Sequence, residues 1–345
     1  MPIPGIPDLS TIWTRRGLSA LALLPLASLY SALAALHRAT YRWGWRQAER
    51  VSVPVIVVGN VIAGGAGKTP VVLALVRHLL EQGMRPGVIS RGYGRASHGL
   101  REVSPASNPQ EVGDEPLLIA QRAGVPVFVS ERRAEAARAL LEAHPEVQVL
   151  ICDDGLQHLA LARDIEICVF DERGVGNAWP IPAGPLREPW PRPVDFVLHP
   201  EGLAPDVSHP DPAGRTRSFV VGRRLAQQAV SADGSQVPLT TLAGQSPLAL
   251  AGIARPQAFF DMLVQSGCPP AVTLPLPDHH DFQFGADVPP GGCLICTEKD
   301  AVKLWQIRPD AWAVPLELSI TEDFWVAIDT RLRPKLSSSD GSQTD

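Results

Sequence analysis

Cysteine is scarce in this 345-residue chain, and the five present (Cys152, Cys168, Cys268, Cys293 and Cys296) are too scattered to form a disulfide framework. Cys293 and Cys296 have redox or zinc spacing, but no second pair completes a tetrahedral zinc site. All five read as reduced and structural, in keeping with a cytosolic setting. Positive charge is also short: 31 Lys and Arg stand against 36 Asp and Glu, for a formal net charge of −5. That balance lacks the basic face of a nucleic-acid binder, so no nucleic acid is expected as a partner, and no protein partner is predicted. Charged residues make up only 19% against 45% hydrophobic, enough apolar content for one large core or two modest ones, and the length favours two.

Charge is unevenly spread. The first fifty residues carry Arg15, Arg16, Arg38, Arg42, Arg46 and Arg50 against Asp8 and Glu49, and they enclose "GLSALALLPLASLYSALAAL", Gly17 to Leu36, which has no charge. Its length is near the roughly 20 residues of a membrane span. A secretory signal would explain the arginines and the small residues near Ala34, but would export the nucleotide loop described below. Its alanines, serines and Pro25 leave it weakly apolar for a span. A helix lying on or dipping into a bilayer, with arginines meeting anionic headgroups, fits best; a helix packed on the protein's own core is the plainer alternative.

From residue 51 onward short apolar runs alternate with helical patterns. "VPVIVVG", "PGVIS", "VPVFVS", "VQVLICDD" and "DIEICVF" read as strands. They are continuously apolar rather than alternating, and helices separate most of them, which implies a doubly wound α/β domain around a parallel sheet. Ligands of such a domain lie at the carboxyl ends of its strands. Periodicity stops in the Pro-, Gly- and Asp-rich stretch 199–218, which reads as a domain boundary. The expected layout is an N-terminal basic and apolar helix (1–50), a P-loop domain (51–200), a smaller α/β domain (215–318), a closing helix (319–333) able to pack on either domain, and a disordered tail (334–345).

The stretch from Val61 to Thr69 (Val61, Ile62, Ala63, Gly64, Gly65, Ala66, Gly67, Lys68, Thr69) lies between a strand and a helix, the order a phosphate-binding loop requires. Glycines turn backbone N–H groups onto phosphates, Lys68 reaches the β- and γ-phosphates, and the Thr69 hydroxyl ligates Mg²⁺ of Mg-ATP. Ile62 stands where the leading glycine of the usual pattern belongs. "VLICDDGLQH" places Asp153 and Asp154 at a strand end, where adjacent carboxylates hold a Mg²⁺ shell or form a plain turn. His158 serves the same site or caps the next segment. Asp114 in "EVGDEPLLIA" reads either as a helix cap or as a base accepting a hydroxyl proton.

Together, "VPVIVVGNVIAGGAGKTP", "VISRGYGR", "VGDEPLLIA", "ICDDGLQHLALARDIEI", "PAGPLREP", "LPDHHDF" and "TEKDAVKL", in this order, resemble the tetraacyldisaccharide 4′-kinase family, the lipid A 4′-kinases of Gram-negative bacteria. The resemblance runs from the N-terminal helix to about Leu332, and that family's loop also lacks the leading glycine. It implies transfer of the γ-phosphate of Mg-ATP to the 4′-hydroxyl of an acylated glucosamine disaccharide 1-phosphate, on the cytoplasmic face of the inner membrane. It places the catalytic aspartate at Asp114 and its partner histidine at His279, with His280 an open alternative. It puts the metal pair at Asp153 and Asp154, and Arg91, Tyr93 and Arg187 in the acceptor cleft, to which His158 is added as a substrate-binding candidate from its place in "DDGLQH". Beside these stand plainer readings: a rigid proline turn for "PAGPLREP", a loop with solvated histidines for "LPDHHDF", a helix start for "TEKD".

Two other functions compete. A P-loop GTPase switch would carry an Asn/Thr-Lys-x-Asp motif, whereas "TEKD" sets lysine beside aspartate. An ATP-dependent enzyme with a soluble acceptor gives no reason for the arginine-flanked apolar N-terminus.

Overall fold

The computed structural model describes residues 9–203, 207, 215–282, 285 and 287–339. The uninterrupted apolar runs become buried strands. β1 (Val55–Gly59), β2 (Pro86–Ser90) and β5 (Val149–Asp153) are buried at every position, as a sheet covered on both faces demands. With β3 (Arg101–Glu102), β4 (Val127–Val129), β6 (Ile165–Val169), β7 (Phe196–His199), β8 (Arg217–Leu225) and β15 (Leu316–Ile320) they form a nine-stranded sheet in the order β15-β8-β7-β6-β1-β5-β2-β4-β3. The neighbours from β8 through β4 are parallel, and β15 and β3 run antiparallel at the two edges. Helices α4 (Lys68–Glu81), α6 (Asp114–Ala123) and α7 (Arg133–Ala143) connect the central strands, and the short α5 (Pro109–Val112) leads into α6. The fold is α/β with a large, mostly parallel sheet, as the sequence pattern implies.

A smaller unit follows. β9 (Gln228–Val230), β10 (Gln236–Pro238), β11 (Leu248–Ala251), β12 (Val272–Pro275), β13 (Leu294–Thr297) and β14 (Trp312–Val314) pair in the order β10-β9-β14-β13-β11-β12. With them come α8 (Leu239–Ala243), α9 (Pro256–Gln265) and α10 (Glu298–Leu304). The strand that opens the expected smaller domain lies elsewhere: β8 pairs with β7 and β15, so it belongs to the large sheet. Its buried Phe219, Val221 and Leu225 alternate with more exposed residues, the signature of a strand covered mainly on one face. The stretch 199–218 is therefore largely a connection within the large sheet rather than a linker; residues 204–206 and 208–214 of it lie outside the described residues.

The closing helix α11 (Glu322–Ser339) packs on the large sheet, where Phe324, Ala327, Ile328 and Leu332 share a core with Phe196 and Phe219. Phe324 sits edge-on to Phe196 and Phe219, with ring centroids 5.8 and 5.4 Å apart, an arrangement the aromatic quadrupole favours. The helix continues through Pro334 to Ser339 where a disordered tail was expected, because a packed helix already nucleated extends more easily than a new one starts. Residues 340–345 lie outside the described residues.

The N-terminal segment is α1 (Leu9–Ile12), α2 (Leu18–Ala22) and α3 (Leu24–Arg42) rather than one helix over Gly17–Leu36. The break falls at Leu23, and Pro25 occupies the first turn of α3, where a missing N–H leaves no hydrogen bond unmade. One side packs inward through Ala20 and Ala27, while Leu26, Leu29, Leu33 and Leu36 stay 56, 56, 59 and 53% exposed. These four recur three, seven and ten residues apart and so share one helix face. No helix of the described residues is long and apolar enough to cross a membrane.

Candidate active site

The Val61–Thr69 loop leaves the end of β1 and enters α4. Gly64 and Gly67 adopt positive φ, +88° and +74°, a region open to glycine at little cost. A Cβ on Gly67 would also lie 2.8 Å from the Arg223 guanidinium. Ile62 is almost fully buried and bridges Leu186, while the Ala63 N–H donates to Pro185 O at 2.7 Å and the Arg187 N–H to Val61 O at 2.7 Å. The segment "PAGPLREP" thus braces the first residues of the loop, and the side chain that replaces the usual glycine is a core anchor. Further along, Arg173 donates to Ala63 O and Gly65 O at 3.2 and 2.9 Å, and Arg223 to Ala66 O at 2.8 Å. With three carbonyls tied outward, the intervening N–H groups are left for an anion.

Lys68 opens α4 and is buried, its Nζ 3.4 Å from Asn60 Oδ1 and 3.5 Å from Asp154 Oδ1. Asp153 ends β5, and Asp154 follows it at φ +48°. Asp153 Oδ2 accepts from Ser90 Oγ at 3.3 Å, but Oδ1 is buried without a partner. Burial, reinforced by the neighbouring Glu115 and Asp154 charges against Lys68 and Arg133, pushes its carboxyl up to about 7. Burial would also raise Asp154, but Lys68 and Arg187 outweigh it and hold this carboxyl below its usual value. Arg187 donates to both Asp154 oxygens at 3.0 and 3.1 Å, so its fork is engaged with the carboxylate. A buried, unpartnered carboxylate oxygen beside a second carboxylate suits a hard divalent cation such as Mg²⁺. Among the described residues no group of three or more His, Cys, Asp or Glu side chains could hold a metal, so ligands beyond these would come from nucleotide and water.

Gly113, at φ +94°, is the N-cap of α6, and Asp114 is its first helical residue. The aspartate makes no capping bond; its Oδ2 lies 3.1 Å from His279 Nδ1 and 3.0 Å from Lys303 Nζ. Burial alone would raise Asp114, but His279 and Lys303 outweigh it and hold the carboxyl below its usual range. His280 turns away to Asp287 at 3.0 Å, which leaves His279 as the aspartate's partner. Lys299 Nζ stands 3.2 Å from His279 Nε2, 2.9 Å from Asp278 and 3.3 Å from Glu115.

The other expected acceptor residues separate. The Tyr93 ring lies 5.4 Å from His279 and is 65% exposed, at the mouth of the site. Arg91 is exposed at the end of β2. His158 Nε2 accepts the Arg133 N–H at 3.2 Å, capping the start of α7. Burial and the neighbouring Arg133, Arg163 and Arg91 charges lower it to about 4, so the imidazole is neutral. Tyr30 of α3 donates to Arg187 O at 2.7 Å and joins the N-terminal helix to the loop beside Asp154. Sequence reasoning missed Arg173, Arg223, Lys303 and Tyr30. "DER" after an apolar strand was a usable signal for Arg173; Tyr30 had none, because its partner is a backbone carbonyl 157 residues away.

Between the loop and the smaller unit lies a cleft of about 660 Å³, lined among others by Gly67, Lys68, Glu115, Arg223, Phe259 and Lys299, within the range of small-molecule sites. An α/β sheet whose glycine-turned loop lines a cleft together with Glu115 and Asp278, the chain neighbours of the paired Asp114 and His279, has the make-up of a kinase-type phosphotransferase. The profile of the tetraacyldisaccharide-1-P 4′-kinase family matches residues 19–333. The tetraacyldisaccharide 4′-kinase of Acidovorax ebreus is 58% identical over 345 residues, covering 98% of this chain and 99% of its own. That of Delftia acidovorans is 51% identical and covers 96% of both. In structure, the chain is similar to LpxK from Aquifex aeolicus in complex with ATP, with a TM-score of 0.77 and 28% identity over 91% of this chain and 99% of that one. The chain belongs to the tetraacyldisaccharide 4′-kinase family and is an enzyme.

Proposed function

We propose that the chain performs the reaction its family is named for, moving the γ-phosphoryl group of Mg-ATP onto the 4′-hydroxyl of a tetraacylated glucosamine disaccharide 1-phosphate in lipid A biosynthesis. The observation that carries this is the Asp114–His279 pair standing one residue along the chain from Glu115 and Asp278, which line the same cleft as the Lys68 loop. The loop N–H groups and Lys68 bind the nucleotide phosphates and offset charge on the transferring group. Asp153, Asp154 and Thr69 would hold Mg²⁺, which supplies Lewis-acid stabilisation of the phosphate oxygens. Asp114 takes the acceptor's hydroxyl proton as the new oxygen–phosphorus bond forms and the bond to the bridging oxygen breaks, releasing ADP.

The acceptor is a lipid, and α3 supports delivery from a membrane surface. Its exposed leucine face and the arginines around it suit an interfacial helix on the cytoplasmic side of the inner membrane, where ATP is present. Tyr30 ties that helix to Arg187. Tyr93 at the mouth, with the exposed Arg91 two residues before it, meets the sugar head group.

The test is phosphate transfer from labelled ATP to tetraacyldisaccharide 1-phosphate in detergent micelles. Asp114→Ala lowers kcat by about 10²–10⁴-fold with ATP affinity kept, the range for loss of a general base. Near-full turnover of that variant would overturn the assignment.

A further inference from the structure

The Asp114 cluster is built from both units. Asp114 and Glu115 open α6 of the large unit, whereas His279, Lys299 and Lys303 come from the smaller one, the two lysines one turn apart on α10. α10 packs directly on α6. Lys303 and Asp114 are both nearly buried, their side chains 10 and 8% exposed, so their 3.0 Å contact is little screened by water.

Two donors converge on a single oxygen: His279 Nδ1 and Lys303 Nζ both address Asp114 Oδ2. Among the described residues Oδ1 receives no hydrogen bond, so it alone is left to accept a proton. Lys299 adds a second constraint. An ammonium only donates, so at 3.2 Å His279 Nε2 must be the acceptor. The imidazole then carries its proton on Nδ1 and donates it to Asp114, a direction fixed by what the far nitrogen does.

We propose that Lys303 and Lys299 are positioning residues for the phosphoryl transfer: Lys303 keeps Asp114 ionised with Oδ1 as its accepting oxygen, and Lys299 fixes His279 as the Nδ1–H tautomer. Because the lysines ride on the smaller unit, the base is set only when that unit sits against α6. The inference rests on the reading of Asp114 as the general base. The charged groups facing the cluster are Glu115 from α6, Lys299 and Lys303 from α10, and Asp278, His279 and Asp281 from the preceding loop, with Asp281 3.7 Å from Lys303.

The experiment compares kcat and KM against pH for the full chain in detergent micelles, with ATP and tetraacyldisaccharide 1-phosphate, in wild type, K303M, K303Q, K303R, K299M and D114N. A cation within a few ångströms favours an ionised carboxylate by about tenfold or more. The K303M acidic limb therefore moves to higher pH, and acid-side turnover falls about tenfold relative to its plateau with KM for ATP unchanged. K303R restores the wild-type limb. K303Q, which keeps a donor without the charge, shows the same displaced limb and carries the test if K303M does not fold. An unmoved limb in the folded uncharged variant overturns the role of Lys303. ¹⁵N chemical shifts of His279 report the tautomer: Nδ1–H in wild type and a mixture in K299M support the role of Lys299, and Nε2–H in wild type overturns it. D114N separates the two readings. If D114N stays active, the base assignment itself has failed; if D114N is inactive and K303M keeps the wild-type limb, only the lysine inference has.

Discussion

The leucine face of α3 gives a prediction whose size follows from the structure. Leu26, Leu29, Leu33 and Leu36 are each a little over half exposed. Fully burying a leucine is worth about 1.5–3 kcal/mol, so moving these halves into a bilayer interface gains at least about 3 kcal/mol for the four. That corresponds to roughly a hundredfold in partition. The quadruple variant L26Q/L29Q/L33Q/L36Q keeps helix-forming residues and leaves Ala20, Ala27 and Tyr30 in place. Deleting the whole segment would be a poorer test, since it also removes Tyr30 from Arg187 and Trp13 from Pro182 O.

Co-sedimentation with vesicles of phosphatidylethanolamine and an anionic lipid measures the effect. Wild type binds, and the quadruple variant partitions about a hundredfold less while still phosphorylating detergent-dispersed acceptor. Added salt weakens the wild type further by screening Arg38, Arg42 and Arg46. Partition of the variant within a few fold of wild type would show that this face is not what holds the protein at a membrane.

Removing Arg223 loosens the Ala66 carbonyl; a hydrogen bond from a charged group contributes about 1.5–3 kcal/mol, so Arg223→Met raises KM for ATP at least about tenfold with a smaller change in kcat, read by steady-state kinetics. Asp153 sets a pH dependence. Its native carboxyl titrates near 7, above the roughly 3.9 of an unfolded aspartate, so between those values the folded state binds a proton the unfolded state does not. Metal-free stability therefore falls as pH rises from about 4 to 7 and then levels; because Mg²⁺ competes with that proton, its stabilising shift in thermal melts is larger at pH 8 than at pH 6. Phe324→Ala opens the aromatic contact between α11 and the large sheet and costs about 3–5 kcal/mol in urea unfolding.

The central strands of the large sheet were legible because their runs are almost continuously apolar, a pattern that needs no tertiary information. β8 was not, since its alternation of buried Phe219, Val221 and Leu225 with more exposed residues is equally a strand of a separate small domain. Pairing partners decide between those, and they lie beyond any local window. The site divides along the same line. Asp153 and Asp154 sit at the end of their own apolar run and Lys68 at the start of the helix that follows another, so local spacing marks each of them. Asp114 looked as much like a cap as a base; the structure gives the cap position to Gly113 and brings His279, 165 residues away, to the Asp114 side chain. Arg187 was expected in the acceptor cleft; the structure shows its Nη1 turned to Asp154, a pairing across 33 residues that neither motif specifies by itself.

The chain leaves the large sheet along β8 and returns along β15, and the last residue of β8 faces the first of β15 across the ladder, Leu225 opposite Leu316. The whole smaller unit is thus strung between two adjacent points on one sheet edge. A body fastened that way can swing like a door on paired pins but cannot drift off its post. Arg223, which donates to Ala66 O of the Val61–Thr69 loop, lies two residues before one pin, and Lys303 is carried on the swinging side. Substitutions at Ala226 or Pro315, which carry no reacting group, would act as changes in hinge stiffness, altering how often the lysines arrive rather than what they do on arrival.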